Sequence, residues 1–351
     1  MRDLGNGVRR LTQQAGILLG AMLLTLPQNT MCAQMCTTQA KMTSDVRNGL
    51  SDAALRLAQA VQQGDGSKVQ EMTIAEFSDA SAFAPTMSLV QSTSSRVASA
   101  ALQVTQIYEL DASARVGGDV SDVDFSCPLF GTTSETDFSI SGLPRGLYGF
   151  AMVKATGIHP WLLSFLLRRD NGDWKLAGFY PRATTAGGHD GIWYWNSART
   201  YAKADELWLA WLFYGEAAEL LRPANFVTST NLDRLLADRR AAAPPELVGG
   251  IGPSNPLVLK GNGAKMGASE YRLTNLYAEE TQDGKELNLI IRLQATEGSD
   301  PTTVTSSSKA AAQAVLDAHM ELRQAFHQVW VFAGADGREP FVTEQTISEI
   351  P

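Results

Sequence analysis

The spacing of apolar positions changes several times along this chain, and each change predicts a different element. Residues 15–26 are almost continuously apolar and end at Pro27. From residue 51 the spacing becomes helical. Ala54, Leu55, Leu57, Ala58 and Val61 share a face, Ser51 or Asp52 can cap it, and Gln63-Gly64-Asp65-Gly66 stops it. Ser67 caps a second short helix with Val69, Met72, Ile74 and Phe77, and a third is expected over 85–100 with Met87, Val90 and Val97.

Period-two signals follow. Leu102, Val104 and Ile107 lie in a β-favouring stretch that runs to Leu110. Residues 114–146 are rich in Gly, Ser, Thr and Asp, and predict loops around short strands near 123–130. Three stronger strands are expected at 147–156, 161–169 and 174–180. The last two are joined by Asn171-Gly172, a pair that suits a two-residue hairpin because both positions tolerate positive φ.

Beyond the junction Gly187-Gly188-His189-Asp190-Gly191, residues 192–223 read as a helical hairpin. Trp195, Ala198, Tyr201 and Ala202 line its first helix. Leu207, Trp208, Trp211, Leu212, Gly215, Ala218 and Leu221 line the second, at spacings of three and four. Thr230 caps a short helix with Leu232, Leu235 and Leu236, and Ala241-Ala242-Ala243-Pro244-Pro245 is a linker. Strands are then expected at 257–260, 271–279 and 286–294, the last alternating through Leu287, Leu289, Ile291 and Leu293. One of Ser306, Ser307 and Ser308 caps a helix running to Phe326, and 328–332 with 341–350 form a closing hairpin.

Composition adds a location. Arg2, Arg9 and Arg10 precede the apolar stretch, and Met31-Cys32-Ala33 offers a cleavage point, so the first 33 residues read as a secretory signal peptide. An apolar run of about 12 residues is too short to span a bilayer. The expected product is exported, periplasmic or secreted, and has no membrane span after signal removal. The formal charge is −8, and the first 33 residues hold three arginines against one aspartate, so the remainder stands at −10. That balance argues against nucleic acid as a partner. Cys36 and Cys127 are left, to be paired in an oxidising compartment or both free.

Helices followed by an antiparallel sheet that ends in Leu167-Arg168-Arg169-Asp170-Asn171-Gly172-Asp173-Trp174-Lys175-Leu176-Ala177-Gly178-Phe179-Tyr180 resemble the nuclear-transport-factor-like (ketosteroid-isomerase-like) domains. The resemblance covers 51–182 and implies a curved sheet wrapped around a helix, with a conical pocket. The long segment 114–146 departs from that family's compact form. Residues 201–223 resemble one tetratricopeptide hairpin, but one copy cannot build a solenoid. Gly188-His189-Asp190-Gly191-Ile192-Trp193-Tyr194-Trp195, Arg222-Pro223-Ala224-Asn225-Phe226 and Leu322-Arg323-Gln324-Ala325-Phe326-His327-Gln328-Val329-Trp330-Val331-Phe332 resemble stretches of uncharacterised exported bacterial proteins, which lend no activity.

The expected fold class is therefore α+β: a curved antiparallel sheet cone with helices, a helical hairpin, then a second small α+β domain. The divisions fall at 1–33 (signal), 34–50 (disordered), 51–186 (cone), 187–245 (hairpin and linker) and 246–351 (second α+β unit).

No motif specifies a reaction. His189 is a candidate acid, base or ligand with Asp190 as its orienter, against the plainer reading of Asp190 as a helix cap. Tyr108, Asp124 and Tyr148 are candidates for an acid and tyrosines inside the cone, the arrangement the isomerase resemblance implies. Trp193, Trp195, Trp208 and Trp211 are dense enough to line a binding surface, though rings at helical spacing commonly form core. Spacings that bind metal are absent, as are phosphate-loop and dinucleotide motifs, so no cofactor is expected. The leading expectation is a non-catalytic binding protein for a small apolar ligand or a protein partner. The alternative is a periplasmic hydrolase or isomerase using the cone pocket.

Overall fold

The computed structural model describes residues 34–113, 121–129, 131–260, 270–294, 300–334 and 339–351. The expected signal peptide at 1–33 lies outside them, as do the turns expected at 261–263 and 335–337. The chain is α+β, with a strongly curled eight-stranded half-barrel sheet and a smaller five-stranded one. No helix among the described residues is long and apolar enough to cross a membrane.

The N-terminal part begins with a strand, β1 (Gln34–Thr38), and three helices, α1 (Ser44–Gln62), α2 (Gly66–Glu71) and α3 (Ala80–Val97). Then come β2 (Ala101–Asp111), β3 (Ser121–Pro128), β4 (Glu135–Leu143), β5 (Leu147–Thr156), β6 (Trp161–Asp170) and β7 (Asp173–Ala183). The short ribbon β8 (Thr185–Ala186) and β9 (His189–Asp190) leads into α4 (Gly191–Lys203) and α5 (Leu207–Leu221). Strand β10 (Val227–Ser229) returns to the large sheet, whose order is β10-β4-β3-β1-β2-β5-β6-β7.

Residues 34–50, expected to be disordered, are ordered. Strand β1 pairs antiparallel with β2 and parallel with β3, and Thr43 caps α1 a full two turns before the expected start. What orders β1 is non-local: pairing on both sides and a disulfide from Cys36 to Cys127 of β3, with Cα atoms 5.2 Å apart. Nothing in Gln-Met-Cys-Thr-Thr announces a buried strand. Helix α3 likewise starts early, because Asp79 accepts hydrogen bonds from the Ser81 and Ala82 amides and Pro85 is carried inside the helix.

Alternation divides the curled sheet into two cores. One face of β2, β5, β6 and β7 presents Ile107, Ala151, Val153, Leu163, Phe165, Leu167, Leu176 and Phe179 to α1 and α3. Small residues on α1 let it lie close, and Leu50 fills the space a side chain at Gly149 would need. The opposite face presents Tyr108, Leu110, Tyr148, Phe150 and Leu166 to Val123, Phe125, Phe138 and Ile140 of β3 and β4 and to Val227 of β10. Irregular register at Val104/Gln106, Ser121/Val123 and Leu166/Leu167 sharpens the local twist that lets the sheet fold back on itself. At the β6–β7 hairpin, Asn171 and Gly172 both take positive φ, 51° and 95°.

The C-terminal part holds α6 (Thr230–Ala241), β11 (Leu257–Lys260), β12 (Glu270–Glu280), β13 (Leu287–Gln294), α7 (Pro301–Ala318), β14 (Gln328–Gly334) and β15 (Phe341–Thr346). These five strands run in sequence order, and the β13–β14 pair is parallel because α7 provides the crossover. Asp300 caps α7 ahead of Pro301, about two turns earlier than the serines predicted, and Met320–Gln324 forms a separate 3-10 turn. Helix α5 is apolar around most of its circumference and largely buried, apart from the face that carries Glu216 and Glu219. It shares one core with Tyr194 and Ala198 of α4, Leu232 and Leu235 of α6, α7 and the second sheet.

Candidate functional site

A groove of about 1190 Å³ opens between the two sheets' flanking elements. Its walls come from β7 (Pro181, Arg182, Ala183), α5, α6 (Leu236, Arg239, Arg240) and β12 (Asn275 to Glu280), with Trp161 and the 247–251 loop at its margins. The α5 wall is Trp211, Leu212, Gly215, Glu216, Glu219 and Leu220, a single face at helical spacing. The groove is of mixed character, its apolar side chains interspersed with seven charged ones (Arg182, Glu216, Glu219, Arg239, Arg240, Glu279 and Glu280), and is somewhat larger than a typical small-molecule site.

Glu216 is the exceptional group. It is half-buried and lines the groove. Among the described residues no hydrogen bond or ion pair reaches it. Burial, then the neighbouring charges of Glu219, Glu280 and Glu279, push its carboxyl up to about 8. Burial also raises Glu280, which accepts the Gly187 amide at 3.1 Å. Two of the groove's three cations are engaged. Arg182 pairs with Glu219 at 2.8 Å and donates to Asn225. Arg239 lies over the Trp211 ring at 4.2 Å, and burial pulls its guanidinium down.

A carboxyl raised in the folded state has a definite pH signature. The native protein holds a proton that the unfolded chain releases between the ordinary value of 4.5 and about 8. Stability from this group is thus lost as pH rises through that window. Glu216→Gln removes the loss. Relative to wild type it should gain about 2 kcal/mol between pH 6 and pH 8. Urea denaturation at both pH values reads this directly, and equal differences at the two would show that Glu216 is not held protonated.

The sequence-derived candidates are placed elsewhere. Asp190 accepts the Trp193 amide at 2.8 Å and so caps α4. His189 does not bond to it; its exposed ring stacks on Trp193 at 3.6 Å. Tyr108 and Tyr148 lie together in the second core of the large sheet. The Tyr108 hydroxyl meets Thr136 Oγ1 at 3.2 Å, and the Tyr148 hydroxyl donates to the Pro144 carbonyl at 2.8 Å. Phe125, Phe138 and Phe150 fill the space beside them. Asp124 is exposed and points away, because its neighbours Val123 and Phe125 take the buried parity.

The four tryptophans separate. Trp193 is 39% exposed beside a smaller cavity of about 700 Å³ that also touches His189, Glu286 and His327. Trp195 donates to Asp238 and carries Arg199 over its ring. Trp208 is buried and stacked on His319 at 4.0 Å. Only Trp211 reaches the large groove. Among the described residues no group of three or more His, Cys, Asp or Glu side chains is placed to hold a metal.

Glu216, Glu280 and Arg239 were not singled out by the sequence. The available signal is Glu216 and Glu219, two carboxyls in an otherwise apolar helix. Compared with protein-family models, curated proteins and solved structures, the chain matches none.

Proposed function

We propose that this is an exported, non-catalytic binding protein that holds a small molecule in the groove between β7, α5, α6 and β12. The observation that carries this reading is the groove itself: about 1190 Å³, with apolar and charged walls and an unpartnered carboxyl in its α5 wall. Export is supported by the pattern of the first 33 residues and by a paired Cys36–Cys127, since such bonds persist in oxidising compartments. The reading of 51–182 as a nuclear-transport-factor-like domain belongs to the same proposal. It is supported by helices α1 to α3 preceding the curled sheet and by the β6–β7 hairpin.

Native mass spectrometry of the protein taken from its own cell envelope tests the reading. Wild type should carry a bound small molecule. Ala243→Trp, which sets a ring into the groove wall just beyond the end of α6, should not, while its melting temperature shows that it folds. Val248→Trp repeats the test at a rim position 73% exposed, where folding is not at stake. An unliganded wild type, or equal loading of all three proteins, would refute a ligand site here.

A further inference from the structure

We propose that the groove is built for an ammonium-bearing molecule with an apolar body, its nitrogen set against the Glu216 carboxyl. The inference rests on the groove being the binding site and adds what it selects. A half-buried carboxyl with no internal partner is costly to keep on a largely apolar helix. Two arginines of the groove are engaged elsewhere: Arg182 with Glu219 and Asn225, Arg239 over the Trp211 ring. Of the charges that bear on Glu216, those of Glu219, Glu279 and Glu280 are all negative. An anionic ligand would be repelled there, and a wholly neutral one would leave the carboxyl unused. Trp161, Leu212, Leu220 and Ile251 supply the surface for an apolar body.

Binding then has a proton attached to it. In the empty groove Glu216 is held neutral at pH 7. An arriving ammonium ion stabilises the carboxylate, and the Glu216 proton leaves to solvent. No other bond changes. The titratable and charged groups facing this event are Glu219 on the same helix, Glu279 and Glu280 from β12, and Tyr194 of α4, whose phenol is raised by burial and by Glu216 and Glu280. Arg239 and Arg240 of α6 and Arg182 of β7 line the same groove. Among the carboxyls, Glu216 is the one lifted above neutrality.

The test is isothermal titration calorimetry with three probes of one shape: 4-phenylbutylamine, 4-phenylbutanol and 4-phenylbutyrate. The amine should bind at least about tenfold more tightly than the alcohol, and the carboxylate more weakly than either. In phosphate and Tris at pH 7, the difference in heat should report about one proton released per amine bound. Glu216→Gln should cost the amine about tenfold, abolish the proton release and leave the alcohol unchanged. If the alcohol binds as well as the amine, and Ala243→Trp blocks both, the groove is a binding site and the ammonium assignment is wrong. Amine binding that Glu216→Gln leaves intact also overturns it. If no probe binds at millimolar concentration, both the ammonium assignment and the groove reading fall.

Discussion

Replacing Cys36 and Cys127 together by serine should lower the unfolding free energy by about 4 kcal/mol. The bond closes a loop with a sequence separation of 91, which encloses α1, α2, α3 and β2. Cutting it returns that much freedom to the unfolded chain, and the cost of closing a loop grows with its length. A second loss is local. Strand β1 is only five residues long and has no apolar alternation of its own, yet it joins β2 to β3 in the middle of the large sheet. Without the tether, fraying of β1 opens the sheet at that join. Urea denaturation of the oxidised, reduced and double-serine forms measures this. The reduced and double-serine forms should agree with each other and fall well below the oxidised form. A loss under about 1 kcal/mol would mean that pairing alone holds β1.

Phe150→Ala should cost about 3–5 kcal/mol, the range for deleting a fully buried aromatic ring. Phe150 is inaccessible to solvent and sits edge-on to Phe138 at 5.2 Å and to Phe226 at 5.7 Å. Those neighbours belong to β4 and to the segment leading into β10, so the ring links the central strands to the part of the sheet that folds back. Phe150→Leu retains most of the apolar volume and should cost distinctly less than the alanine change. Denaturant midpoints for the two variants decide the matter. A loss below about 1 kcal/mol for alanine would show that the second core is not packed as described.

Legibility in the sequence followed the range of the interactions. The Asn171-Gly172 turn, the strands on either side of it and the two helices of 192–223 were readable because propensity and spacing within about ten residues determine them. Strand β1 was not, since its order comes from β2, β3 and Cys127, far along the chain. Capping shifted three helix starts: Thr43, Asp79 and Asp300 act ahead of the first apolar repeat, where periodicity gives no signal. The α+β class was recoverable from the order of elements alone. The groove was not, because its walls come from β7, α5, α6 and β12, which only the tertiary fold brings together. Aromatic density drew attention to Trp193, Trp195, Trp208 and Trp211, yet the group with the most perturbed environment in the groove is the carboxyl one turn beyond Trp211. Hydrophobic patterning marks what is buried, and says little about which polar group is buried with it.

The most direct test is a crystal structure of the protein purified, without added ligand, from its native envelope. Density for a small molecule lying along the groove, between Trp161 and the Glu216 carboxyl, is the predicted result. A groove holding only ordered water, with a carried-through molecule bound at some other place on the protein, would contradict it.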